Sequence, residues 1–65
     1  MNIDNFIHEW DRIKMYDDEI KLYISNSFIY VTKFYIDSGG NYIFVLNNAI
    51  IGKIDIKNIK RLEWW

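Results

Sequence analysis

Sixty-five residues allow one domain, and a chain that is 51% hydrophobic and 18% aromatic is too apolar to remain disordered. The absence of cysteine excludes a disulfide framework and, with His8 as the one histidine, any zinc site of standard spacing. The net charge of −1 hides a split: residues 1–20 carry six acids against Arg12 and Lys14, whereas residues 21–65 carry six bases against Asp37, Asp55 and Glu63.

A domain of this size hides only about 60% of the surface its unfolded chain exposes. Its core rarely supplies more than about 3–5 kcal/mol, so small scaffolds recruit disulfides, a metal or a partner subunit. Self-association or burial against a partner is the support expected here. The charge split points the same way, since a dipolar surface favours ordered assembly or a charged partner. No basic segment followed by an apolar stretch opens the chain and no apolar run approaches membrane-spanning length, so a cytoplasmic address away from membranes is expected. Thirteen isoleucines and no proline are what AT-rich codons favour, which suggests a low-GC bacterium or its phage.

In chain order, residues 2–15 read as an amphipathic helix. Ile3, Phe6, Ile7, Trp10 and Ile13 form one apolar stripe at helical period, with Asn2 placed to cap the first turn and Asp4 suited to its positive end. The other face, with Asn5, His8, Glu9, Asp11 and Arg12, is polar. An isolated helix of this length is marginal in water, so the stripe must be buried on a sheet or on another chain. Its acidic polar face argues against an anionic membrane surface. Asp17 and Asp18 end the pattern.

Strands are expected over about 19–25, 28–37, 41–47, 49–56 and 60–65. The first alternates, with Ile20, Leu22 and Ile24 on one face. The second breaks alternation, because Ile29 and Val31 share one face while Phe34 and Ile36 take the other, so a bulge or strong bend is expected near Thr32-Lys33. Asp37 to Gly40 is a loop whose glycines can supply positive φ. The third and fourth strands form the hairpin on which the rest must pack, turning at Asn47-Asn48 through an expected two-residue type I′ turn. Gly52 inside the fourth strand permits a tight coil or the close approach of another backbone. A short helical turn over Asp55 to Asn58 then leads to a last strand, with Leu62 and Trp64 on one face and Arg61, Glu63 and Trp65 on the other.

The fold class expected is therefore α+β, mainly β. The Ile51-Gly52 pair in strand four and the run Ile54, Ile56, Ile59, Leu62 leading into strand five accompany an order of helix, five short strands and an intervening helical turn. In that architecture the chain resembles the SH3-like and Sm-like small β-barrels. The resemblance implies a five-stranded antiparallel barrel behind an N-terminal helix, and in the Sm-like branch rings built by pairing strands four and five of neighbouring subunits. A strongly bent open meander is the alternative.

Little here suggests an enzyme. His8 stands beside Asp4, Glu9, Asp11 and Arg12 on a solvated salt-bridge face, and Asp17-Asp18-Glu19 lacks the spacing and bend glycine of a calcium loop, so no catalytic residue, metal or cofactor is expected. A protein-interaction module is expected instead, a small inhibitor or adaptor acting on a partner or as a homo-oligomer. Its candidate contacts are Trp64, Trp65, Tyr35 and Tyr42 with Lys57, Lys60 and Arg61, because Trp, Tyr and Arg carry contact energy at interfaces. The alternative is a single-stranded nucleic-acid binder using Tyr23 and Tyr30 beside Lys21, Lys33 and Lys53, since small barrels stack bases on aromatics flanked by cations.

Overall fold

The computed structural model describes residues 1–16 and 18–64; the expectations for Asp17 and Trp65 lie outside the described residues. Helix α1 spans Ile3–Lys14, and the Asn2 side chain caps it by accepting a hydrogen bond of 2.8 Å from the Asn5 amide. Its apolar stripe is buried: Phe6 and Ile13 are fully enclosed and Trp10 nearly so, while Ile3 and Ile7 flank them. Each such side chain contributes about 1.5–3 kcal/mol on burial, which explains how a short helix persists.

Six antiparallel strands follow: β1 (Ile20–Ile24), β2 (Ser27–Val31), β3 (Lys33–Ile36), β4 (Tyr42–Asn47), β5 (Ala49–Asp55) and β6 (Ile59–Trp64), with a 3-10 turn over Ile56–Asn58 before the last. They form two three-stranded sheets, ordered β2-β1-β6 and β3-β4-β5. Alternation places Ile20, Leu22 and Val31 of the first sheet and Ile43 and Val45 of the second in one core with the helix stripe, and an irregularity at Lys60 brings both Ile59 and Leu62 of β6 into it. Phe34 of β3 joins the second sheet to the helix, its ring centroid lying 4.8 Å from those of both Phe6 and Trp10 in edge-on contacts.

The strand count is six rather than five because the long second strand divides at Thr32. The Thr32 amide and hydroxyl both donate to the Leu46 carbonyl, at 2.7 and 3.1 Å. β2 therefore joins β1 while β3 joins β4, and Val31 and Phe34 both reach the core although they stand on opposite faces of a straight strand. The barrel does not close: among the described residues β5 has a strand neighbour only in β4, and β6 only in β1.

Three local expectations are corrected. A type I′ turn needs positive φ at both central residues, yet only Asn48 has it, at 70°. Asn47 stays in β4 opposite Ala49, where its side-chain amide donates to Glu19 Oε2 at 3.0 Å and to the Tyr30 carbonyl at 3.3 Å. In the 37–40 loop Gly40 alone has positive φ, at 74°. At Gly52 nothing crowds the backbone, since a Cβ there would meet Val45 at an ordinary 3.9 Å. Pairing of β4 with β5 shifts register instead: Val45 faces Gly52 and Leu46 faces Ile50, so Ile51 is an extra residue, a β-bulge.

Candidate interaction surfaces

The side chains that point away from the core build two sheet faces. On β3-β4-β5 the register sets Tyr35, Phe44 and Lys53 abreast, with Tyr42 beside Asp55 on one side and Lys33, Leu46 and Ile50 on the other. Lys53 Nζ lies 4.8 Å from the Tyr42 ring centroid and 5.5 Å from that of Phe44. Tyr35 is 56% exposed, Ile50 64% and Ile51 50%, so the apolar face runs out onto the edge of β5. The bulge explains this exposure. An inserted residue turns Ile50 and Ile51 outward at the place where strict alternation would have buried one of them.

On β2-β1-β6 a different set comes together. Phe28, Tyr23 and Arg61 stand abreast, and Tyr30, Lys21 and Glu63 form the next row. The Arg61 guanidinium carbon is 3.9 Å from the Tyr23 ring centroid, while Arg61 Nε donates to Glu63 at 3.3 Å. Lys21 Nζ lies 5.1 Å from the Phe28 centroid, and Phe28 contacts both Tyr23 and Tyr30, at 5.3 and 5.4 Å.

A third cluster sits where α1 ends. Trp64 shares the face of Leu62, but the core ends before it, and its ring lies 5.8 Å from Tyr16 and 5.4 Å from the Arg12 guanidinium. The sequence-based partner set is thus divided among separate places: Tyr35 and Tyr42 on one sheet, Arg61 on the other, Trp64 at the helix end. Lys60 is an exposed extra residue on β6, where Tyr23 pairs with Arg61 and Ile24 with Ile59. Lys57 stands on the 3-10 turn and pairs with Asp55 at 3.7 Å. The nucleic-acid set divides as well, Lys21, Tyr23 and Tyr30 on β2-β1-β6 and Lys33 and Lys53 on β3-β4-β5. Phe28, Phe44, Ile50 and Ile51 are not among the contact residues expected from the sequence. Pairing the alternating 21–23 and 28–30 segments across their turn would have found Phe28, whereas nothing in the residue order announces the bulge.

Reactive geometry is sparse among the described residues. His8 is exposed on α1, and no group of three or more His, Cys, Asp or Glu residues stands close enough to hold a metal ion. A cleft of about 530 Å³ lies between the start of α1, the 37–41 loop and the 3-10 turn, with Asn2, Asn41 and Lys57 in its lining. Its one carboxylate, Asp55, accepts from the Lys57 amide at 2.9 Å and pairs with the Lys57 ammonium. The exposed Glu9 is held below the ordinary carboxylate range by its hydrogen bond from Arg12, whose own pKa is raised by the same bond. Neither arrangement activates a nucleophile or base.

No helix among the described residues is long and apolar enough to cross a membrane. Comparisons of the chain with known protein families, curated proteins and solved structures find no match.

Proposed function

We propose that the chain is a non-enzymatic protein-interaction module of the inhibitor or adaptor kind, and that its first partner is a second copy of itself. The observation that carries this reading is the edge of β5. Ile50 and Ile51, 64% and 50% exposed, lie on a strand whose other edge alone is paired, and they continue into the aromatic face of Tyr35, Tyr42 and Phe44. An unpaired edge offers free backbone donors and acceptors, and apolar side chains on it favour strand addition. A small core without disulfides gains from the surface such pairing would cover. The helix-first order and the 3-10 turn before the last strand support a plan of the SH3-like or Sm-like kind, in which single domains work through surface contacts.

Light scattering across a size-exclusion peak tests this at about 10–100 µM protein, where a micromolar association is populated. The expected result is a dimer or larger species that becomes monomeric in the Ile50→Lys, Ile51→Lys double variant. Both side chains are at least half exposed, so circular dichroism should show the variant folded. A wild-type monomer throughout that range, or an assembly indifferent to the double substitution, would overturn the reading.

A further inference from the structure

We propose that the outer face of the β2-β1-β6 sheet is a binding face for single-stranded nucleic acid. Three aromatic side chains, Tyr23, Phe28 and Tyr30, occupy outward positions there, although a core this small has use for every large apolar side chain. Phe28 is 40% exposed. Two cations stand against these rings: Arg61 at 3.9 Å from the Tyr23 centroid and Lys21 at 5.1 Å from that of Phe28. Resting on aromatic faces limits the freedom of both long side chains before any ligand arrives.

The placed cations suit a polyanion even though the chain as a whole is acidic. Lys21 and Arg61 stand at the rings, Glu63 is paired with Arg61, and Glu19 just before β1 accepts from the Asn47 amide. Helix α1 buries Phe6, Trp10 and Ile13 against Leu22 and Leu62, so it lies on the opposite, core side of the same sheet and takes Asp4, Glu9 and Asp11 with it. The helix acids and the two cations at the rings therefore lie on opposite sides of one sheet. Phosphodiester groups would meet the cations, and unstacked bases would meet Phe28, Tyr30 and the stacked Arg61 plane. A duplex hides its base faces, and an acidic peptide brings charge without rings. The combination selects a single strand.

Fluorescence anisotropy of a labelled thymidine oligonucleotide of about 12 nucleotides, within the span small barrels engage, tests the site. With two cations in contact, the logarithm of affinity should fall against the logarithm of salt with a slope of about −1.4. Phe28→Ala should weaken binding about tenfold by removing a stacking surface. Arg61→Gln should bring the slope to about −0.7, a readout that stands even if Phe28→Ala proves poorly folded. Arg12→Gln, on the helix that covers the opposite side of this sheet, should change neither. Absence of binding at low salt, equal binding of a duplex, equal competition by polyglutamate, or an Arg12→Gln effect matching that of Arg61→Gln would each overturn the proposal. None of these outcomes bears on self-association, which is read at Ile50 and Ile51 on the other sheet.

Discussion

Lys14 Nζ donates to the Thr32 carbonyl at 3.0 Å and to the Asp18 carbonyl at 2.6 Å, joining the last turn of α1 to the corner that divides the two sheets. The same ammonium lies 5.7 Å from the Trp10 ring, so its stem runs along the core's edge and delivers the charge to backbone oxygens. Helix, corner and sheets are thereby set in register by one side chain. Lys14→Met keeps the stem and deletes the donors, and should cost about 1–2 kcal/mol in urea denaturation. Thr32→Val removes the hydroxyl bond to Leu46 and should cost about 1 kcal/mol.

Phe6 supports the fold from the opposite side. It is fully buried and touches both Trp10 and Phe34, so Phe6→Ala should cost about 3–5 kcal/mol. A chain of this length has roughly 3–10 kcal/mol of stability in all, and the variant should be largely unfolded when dilute. If copies associate at β5, mass action restores part of the loss. The melting temperature of wild type and variant should then rise with protein concentration. A midpoint independent of concentration in calorimetry would place all the stability within one subunit.

The turn at Asn48 makes a separate test of backbone chemistry. With φ at 70°, the residue sits where glycine and asparagine are at ease and branched side chains are not. Asn48→Gly should leave stability within a few tenths of a kcal/mol, while Asn48→Val should lose about 1–2 kcal/mol, both read from urea midpoints.

The helix was legible because its stripe repeats at one period for three turns and its cap is a single residue, Asn2. The corner at Thr32 was legible for a related reason: Ile29 and Val31 cannot share a core with Phe34 and Ile36 on a straight strand. What escaped the sequence are features decided between strands. Asn47 looks like a turn residue until Glu19 and the Tyr30 carbonyl take its amide and hold it in β4. Ile50 and Ile51 look like core in an apolar run, and only the register against Leu46 turns them outward. The candidate surfaces follow the same logic. Lys and Tyr residues could be chosen by type, but assigning them to two different sheets required knowing where the chain crosses at Thr32.

Glu9 and Arg12 carry a pH signature on the outer face of α1. Arg12 Nε donates to Glu9 Oε2 at 2.9 Å, and this bond is the leading reason the Glu9 pKa lies below its ordinary value. A carboxylate with a lowered native pKa binds fewer protons than its unfolded counterpart, so its contribution is fully present above the ordinary glutamate pKa. That contribution is lost as pH falls through the lowered native value. Arg12 is 47% exposed and Glu9 34%, and solvent screens the pair. A carboxyl-detected NMR titration should therefore find Glu9 below the ordinary range at low salt and moving back toward it in 1 M salt, with Arg12→Gln abolishing most of the displacement. A Glu9 titration unmoved by Arg12→Gln would show that another group, and not the guanidinium, holds it down.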